Sequence, residues 1–104
     1  MGYRLIITDS AEDMLAGLVD YLLYMIKSQQ AALHLVNNIE KLYDRLEENP
    51  LQFPLSKDAY LLHKGYREAV LPDMNYILIF KIEDTNVYVL GVFHQLEQYK
   101  RKLE

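Results

Sequence analysis

The sequence predicts an α+β fold in which a helical hairpin packs on a curled antiparallel sheet, in the order βααβββ with a short C-terminal helix. Residues 10–48 carry apolar side chains at helical spacing in two consecutive segments. Residues 66–94 contain three runs rich in β-branched and aromatic residues, separated by short turns. Because a hairpin and a sheet of this kind each have one apolar face, the stable arrangement packs one on the other.

The first two predicted elements are a strand and a helix. Residues 3–8 read YRLIIT, a short β-branched run, and a lone strand would leave its backbone groups unpaired. We therefore expect it to join the same sheet as the later strands. Ser10 is the expected N-cap of the first helix, with Asp13 in the acidic position of a capping box. The apolar face of this helix consists of Met14, Leu15, Leu18, Val19, Leu22 and Ile26.

A second helix follows closely. Polar residues 28–30 allow a tight break before it, and Asn49-Pro50 ends it because proline disfavours helical geometry in the preceding residue. Two amphipathic helices joined so closely predict an antiparallel hairpin. Residues 50–63 are predicted to be an irregular connection, since they contain two prolines and no clear period. The apolar face of the second helix consists of Ala32, Leu35, Val36, Ile39, Leu42, Tyr43 and Leu46.

Three further strands are predicted to form a meander. They span residues 66–71, 76–82 and 87–94, with turns at 72–75 and 83–86. The middle run is nearly all apolar, which indicates a central strand buried on both faces.

The last predicted strand leads into the C-terminal tail. Regular alternation would place Tyr88, Leu90, Val92 and His94 on one face of the sheet. A short polar helix over residues 96–103 is expected to close the chain.

Composition restricts the function. A chain of 104 residues predicts a single domain over residues 1–104. The absence of cysteine excludes disulfides, thiolate metal sites and a cysteine nucleophile, and it fits a reducing compartment. No apolar run is long enough to cross a bilayer and the N-terminus does not resemble a signal peptide, so we expect a cytoplasmic protein without membrane contact. His34 and His63 have no partner at metal-ligand spacing, and no glycine-rich phosphate loop exists, so neither a metal nor a cofactor is expected.

Charge is distributed unevenly. The net charge is −4, but residues 9–48 carry eight acidic groups against three basic ones, while residues 49–104 are neutral. A dedicated nucleic-acid binder usually has a positive surplus, so RNA or DNA contact would require a local patch on the second half. The acidic residues of the first helix could attract a basic partner segment or favour the positive end of the helix dipole. They are Asp9, Glu12, Asp13 and Asp20.

Several short motifs occur in a characteristic order along the chain. Their order and spacing resemble the RelE/ParE toxin superfamily of bacterial type II toxin–antitoxin pairs, over essentially the whole length. The motifs are the YRLIIT opening, an acidic first helix turn, Ala31-Ala32, Asn49-Pro50, the Leu-x-x-Lys-Gly-Tyr-Arg run at 61–67, Asn75-Tyr76 and the ending VFHQLEQY.

The resemblance implies a growth-inhibiting toxin of the kind associated with plasmid stabilisation. A cognate antitoxin would hold it inactive by laying a helix or strand over the sheet and helical faces. Members similar to RelE cleave messenger RNA on the ribosome, and members similar to ParE poison DNA gyrase. Because the two branches share a fold, the fold does not choose between them. A third alternative is an inactive member that only binds the antitoxin, and the oligomeric state stays open.

The RNase alternative names three site residues. RNA cleavage without a metal requires a deprotonated 2′-hydroxyl, a protonated leaving oxygen and a stabilised phosphorane. In a metal-independent endoribonuclease of RelE type, His94 and Tyr99 would be the acid–base residues and Arg67 the electrostatic stabiliser. The structural alternatives are a sheet-edge histidine bonded to the tail, a tyrosine that anchors the final helix, and an arginine used in pairing with a neighbouring strand or the antitoxin. Lys64 is expected to be a solvated flank.

Three positions depart from the ribonuclease pattern. Family ribonucleases usually place arginines on the third and fourth strands and in the tail. Here the position after Asn75-Tyr76 is Ile77, and the corresponding tail positions are Leu96 and Glu97. These departures remove positive charge from the places where a phosphate would bind, so they count against RNase chemistry.

Overall fold

The computed structural model describes residues 2–94 and confirms the α+β fold class. Helices pack against one four-stranded sheet in the expected order, with one additional short helix before the meander. The helix predicted over residues 96–103 lies outside the described residues. The elements are β1 (Arg4–Ile7), α1 (Asp9–Asp20), a π-helical turn (Tyr21–Met25), α2 (Gln29–Glu48), a 3-10 turn (Pro50–Gln52), α3 (Ala59–His63), β2 (Arg67–Val70), β3 (Tyr76–Glu83) and β4 (Asn86–His94).

The strand order in the sheet is β1-β4-β3-β2. The three later strands form the predicted antiparallel meander, and β1 joins the same sheet as expected. However, β1 runs parallel to β4, so the sheet is mixed and not wholly antiparallel. A parallel pair needs a long crossover connection, and the helical hairpin together with the first part of the meander supplies it.

A β-bulge interrupts β4 at Leu90. Ile79 pairs with Gly91, whereas the next residue of β3, Phe80, pairs with Val89. Leu90 is therefore the extra residue on the bulged strand, and it reverses the alternation of side chains along the rest of β4.

The bulge makes one sequence prediction wrong. Val92 belongs to the main core and His94 pairs with Tyr76 of that same core, whereas Leu90 packs against a smaller core on the other face. Tyr88, opposite Lys81, also lies on the other face. The four residues expected to share one face are thus divided between the two.

Gly91 allows the chain to pack tightly beside the bulge. A Cβ atom at this position would lie 2.6 Å from the Phe93 ring and 2.8 Å from the Met14 sulfur. An isolated glycine within a strand pattern is a known signal for a bulge or a close approach, and that signal was present in the sequence.

Apolar cores lie on both faces of the sheet. The main core joins the sheet to the helical hairpin and contains the predicted apolar face of α2 except Val36, which is half-buried outside it. The smaller core consists of Leu61, Ile77, Ile79 and Phe93, with α3 contributing its leucine.

The predicted apolar face of α1 is correct except at its end. Ile26 is 51% exposed because the helix widens after Asp20. The Ile26 amide donates to the Tyr21 carbonyl at 3.0 Å, an i to i−5 bond that shifts the helical phase.

Side-chain caps fix where the helices begin. Thr8, and not Ser10, is the N-cap of α1: its Oγ1 accepts from the Ala11 amide at 3.1 Å and donates to the Val89 carbonyl at 2.8 Å. Ser28 caps α2 within the predicted break.

The connection predicted to be irregular contains α3. Asp58 caps this single turn by accepting from the Tyr60 and Leu61 amides. A five-residue helix is too short to show a helical period, which is why the sequence pattern did not predict it.

None of the helices described within residues 2–94 is long and apolar enough to cross a membrane.

Candidate functional site

His94 lies at the end of β4, on the rim of an open hollow of about 280 Å³. Leu18, Tyr21 and Tyr76 line this hollow with it. The rings of His94 and Tyr76 meet edge to face, with centroids 5.7 Å apart and planes at 87°. The hollow therefore brings a half-buried imidazole and two phenol rings together at one surface.

The bulge determines which side of the sheet His94 faces. Without the extra residue at Leu90, His94 would lie on the face of the smaller core. With it, the imidazole lies on the face of the main core, beside Leu18 at the C-terminal end of α1. Sequence reasoning placed His94 at the strand end correctly, but it grouped His94 with Tyr88 and Leu90, which lie on the other face.

Arg67 is held at a different part of the sheet. Its Nη1 donates to the Phe53 carbonyl at 2.7 Å, which ties the chain before α3 to β2. Arg67 pairs with Phe80, whereas His94 pairs with Tyr76 on the same strand. Four residues separate these partners, about 13 Å along the strand, and β2 and β4 are about 10 Å apart across it.

The three predicted site residues therefore do not form one described cluster. Arg67 and His94 are well separated on the sheet, and Tyr99 lies outside the described residues. Their catalytic roles stay predictions.

Glu68 has a structural role that sequence reasoning missed. Its side chain is buried, and Oε1 accepts from the Lys57 amide at 3.0 Å. The Glu68 amide also donates to the Pro54 carbonyl at 3.0 Å. Neighbouring Arg67 and Glu68 thus fasten the same connection to β2 from opposite faces of the strand.

Two lysines pack against tyrosine rings. Lys64, expected to be a solvated flank, has its Nζ 4.9 Å from the centre of the Tyr60 ring. Lys81 lies 5.2 Å from the Tyr88 ring and forms an ion pair with Glu83 at 2.8 Å. The hydrogen bond to Glu83 raises the pKa of Lys81 above its usual value, so its charge is already partly compensated.

Ile77 occupies the strand position at which family ribonucleases often carry an arginine. The side chain is buried in the smaller core with Ile79 and Phe93. A charged group there would lose its hydration without a compensating partner. The other two departures, Leu96 and Glu97, lie outside the described residues.

No group of three or more His, Cys, Asp or Glu side chains within residues 2–94 is placed to hold a metal ion.

Comparison with known proteins assigns the family. Residues 5–99 match the family model described as ParE toxin of type II toxin-antitoxin system, parDE. The chain belongs to the ParE toxin family. No curated protein sequence matches it.

Two solved structures resemble this ParE-family chain. The chromosomal ParDE TA system from P. aeruginosa aligns with a TM-score of 0.72 at 19% identity, covering 88% of this chain and 95% of that one. The toxin–antitoxin complex RelBE2 from Mycobacterium tuberculosis aligns with a TM-score of 0.61 at 23% identity. The alignment covers 90% of this chain and 99% of that one. At these identities the likeness shows the fold, and both names describe toxin–antitoxin systems.

The ParE-family chain exposes large apolar side chains at the tip of its helical hairpin. We define this hairpin tip as the five exposed residues around the π-helical turn and the start of α2. A run of aromatic and aliphatic residues immediately before a helix break was the available sequence signal. The residues are Tyr21, Tyr24, Met25, Ile26 and Leu33.

Proposed function

We propose that this chain is a cytoplasmic toxin that inhibits DNA gyrase and is neutralised by a cognate antitoxin. The match to the ParE toxin family over residues 5–99 carries this proposal. Members similar to ParE poison gyrase, whereas members similar to RelE cleave messenger RNA.

The charges of the sheet support gyrase over RNA as the target. Ile77 is buried where a phosphate-binding arginine would often lie. Arg67 is bonded to the Phe53 carbonyl, and Lys81 is paired with Glu83. RNA cleavage depends on positive groups arranged around the phosphorane, so a sheet on which Arg67 and Lys81 already have these partners is poorly suited to it.

A supercoiling assay with purified toxin tests the proposal. We expect the toxin to slow the supercoiling of relaxed plasmid by gyrase, and added antitoxin to restore the rate. Relaxation of the same plasmid by topoisomerase I is the specificity control and should be unaffected. Normal supercoiling at saturating toxin would eliminate gyrase as the target.

A RelE-type endoribonuclease is the second candidate, because His94 lies in an open hollow beside Tyr76. In that case transcripts would be cut during growth arrest, and His94→Ala would abolish the cleavage. Tyr88→Phe, on the other face of the sheet, is the matched control and should leave it intact. Intact transcripts in arrested cells would exclude this candidate. A strain that grows normally while it expresses the toxin alone would instead identify an inactive, antitoxin-binding member.

A further inference from the structure

The half-buried Asn38 side chain connects α2 to the turn between β2 and β3. This turn spans residues 72–75, and we call it the β2–β3 turn. Asn38 Nδ2 lies 3.3 Å from the Pro72 carbonyl oxygen and 3.3 Å from His34 Nε2. An amide nitrogen carries two hydrogens, so it can donate to both atoms. We call this pair of contacts the Asn38 bridge.

The Pro72 carbonyl determines the orientation of the Asn38 amide. A carbonyl oxygen only accepts hydrogen bonds, so the amide nitrogen, and not the amide oxygen, lies on this side. The same nitrogen donates to His34 Nε2, which accepts only while it carries no proton. The Asn38 bridge therefore requires a neutral His34 with its proton on Nδ1.

A proton on His34 Nε2 would disrupt the bridge. Two N–H groups would then face each other, because the Asn38 nitrogen is also a donor. If the amide turned over, its oxygen would accept from the imidazolium but would also face the Pro72 carbonyl, which is a second acceptor. Hydrogen bonds from charged donors are about twice as strong as neutral ones, so the amide should turn towards the imidazolium and leave Pro72.

The imidazole of His34 is open to protons from solvent. Its side chain is exposed on the rim of an open hollow of about 400 Å³. Histidine changes charge between about pH 5 and pH 8, so protonation of such a ring is accessible near neutral pH. The other residues that line this hollow, Ser28, Gln30 and Ala31, carry no charge.

The charged residues beside these contacts form no ion pair with the imidazole in the described part of the chain. Lys27 precedes Ser28, and Asp73 follows Pro72, but neither is paired with His34. On α2 itself, no acidic or basic side chain lies within one helical turn of His34. The state of the bridge therefore depends on the proton of His34 itself.

Other contacts hold the base and the middle of the β2–β3 turn. The Leu71 amide donates to the Tyr76 carbonyl at 3.0 Å, and Met74 packs against the main core. Asp73 has a φ of 62°, a left-handed conformation that costs energy in a residue with a side chain and persists only where its surroundings hold it. Loss of the Asn38 bridge would therefore free the peptide between Pro72 and Asp73 first.

We propose that the Asn38 bridge is a pH-sensitive connection, in which protonation of His34 detaches the β2–β3 turn from α2. While the imidazole is neutral, the bridge fixes the turn to the helical hairpin. Once the imidazole is protonated, the amide binds the imidazolium, and the turn keeps only its other contacts. The turn leads directly into Tyr76, which lines the hollow of His94, so the change occurs beside that hollow. The connection lies within the toxin alone and does not depend on its cellular target.

A pH titration of isotope-labelled toxin by nuclear magnetic resonance tests the proposal. The signals followed from about pH 8 to about pH 5 are the His34 imidazole, the Asn38 side-chain amide and the Asp73 backbone amide. The Asp73 nitrogen belongs to the same peptide group as the Pro72 carbonyl, so it reports the hydrogen bond to that oxygen. His34→Ala removes the titrating group, and Asn38→Leu removes the bridge. His63→Ala on α3 is the matched control, since this histidine is also exposed.

In the unchanged toxin we expect the Asn38 and Asp73 signals to shift together, with the same midpoint as the His34 imidazole. In His34→Ala the pH-dependent shift of both signals should be lost. In Asn38→Leu the imidazole should still titrate while the Asp73 signal stays constant. His63→Ala should titrate as the unchanged toxin does. Position 34 is exposed and alanine favours a helix, so His34→Ala decides the question even if Asn38→Leu is unstable.

Either of two results would overturn the proposal. An Asp73 signal that stays constant while His34 titrates would show that the imidazolium rotates away and leaves the bond between Asn38 and Pro72 intact. A shift that persists in His34→Ala would assign the pH dependence to another group, such as His94 beside Tyr76.

Discussion

At the scale of single residues, hydrogen bonds to the backbone determine what the polar side chains around β2 do. Arg67 donates to the Phe53 carbonyl, and Glu68 accepts from the Lys57 amide. A side chain that already holds a structural bond must break it before it can bind a phosphate. Arg67 therefore begins from a structural contact.

Gly91→Ala should destabilise the fold, because the new methyl group would lie within 3 Å of Phe93 and Met14. Overpacking of this kind costs about 1–3 kcal/mol, and urea denaturation measures it as a lower midpoint. Gly17→Ala is the matched control, since a Cβ there meets nothing within 4 Å and alanine favours a helix. A Gly91→Ala variant as stable as the parent would show that the close approach at the bulge is not required.

At the scale of elements, backbone and side-chain hydrogen bonds hold the connection before α3 against the edge of the sheet. The Ser56 amide donates to the Tyr66 carbonyl at 2.8 Å, and Glu68 binds Lys57 immediately before the Asp58 cap of α3. Because α3 is a single turn, it depends on these bonds and on burial of Leu61 more than on its own helical propensity.

Glu68→Ala should lower the free energy of unfolding by about 1–3 kcal/mol, because it leaves the Lys57 amide without its acceptor. Glu68→Gln keeps an acceptor oxygen in nearly the same place and should recover most of that loss. Chemical denaturation of the two variants checks this. Equal destabilisation by both substitutions would mean that the charge of Glu68, and not its hydrogen bond, holds the connection.

The contact between α1 and α2 predicts a pH effect at the alkaline end. Burial and then Glu12 raise the pKa of Tyr43 above its unfolded value of 10.0. The folded state therefore keeps a proton that the unfolded chain loses, so stability is unaffected below pH 10 and falls as pH rises through the folded pKa. Phenylalanine at this position cannot ionise, so the free energy of unfolding of the Tyr43→Phe variant should fall less steeply above about pH 10 than that of the parent. Denaturation at a series of pH values measures both, and an equal pH dependence in parent and variant would contradict this.

At the scale of the whole molecule, the fold follows from patterns that extend over many residues. The helical face of α2 spans five turns and the central apolar run of β3 spans most of a strand, so both elements were predicted almost residue by residue. The π-helical turn and the bulge each shift a pattern by one residue, and tertiary packing decides where such a shift occurs. This explains the errors at Ile26 and Leu90.

The candidate site was less predictable than the fold. The position of His94 at a strand end followed from the apolar pattern, but its face depended on the bulge before it. The hydrogen bond from Arg67 joins residues 14 apart through a loop without periodicity, so no pattern could predict it. The hairpin tip was predictable only in part, because exposure of Tyr24 depends on the widened helical turn.

Amide hydrogen exchange should differ between the centre of the sheet and the hairpin tip. Ile77 to Phe80 are buried at the centre of the sheet, so their amides should exchange last, close to the rate of global unfolding. Amides at the hairpin tip should exchange much faster, since exposed side chains surround them. Nuclear magnetic resonance measures both sets in one experiment. Equal protection of tip and sheet would contradict this ranking.

The parallel pairing of β1 with β4 has a consequence for synthesis. The Thr8 hydroxyl donates to the carbonyl of Val89, 81 residues later in the chain. β1 therefore cannot pair with β4 until β4 has been synthesised. At typical rates of translation this delay is about 4–16 seconds. The sheet is therefore completed only after β4 has left the ribosome, and a nascent chain cannot carry the finished fold before then.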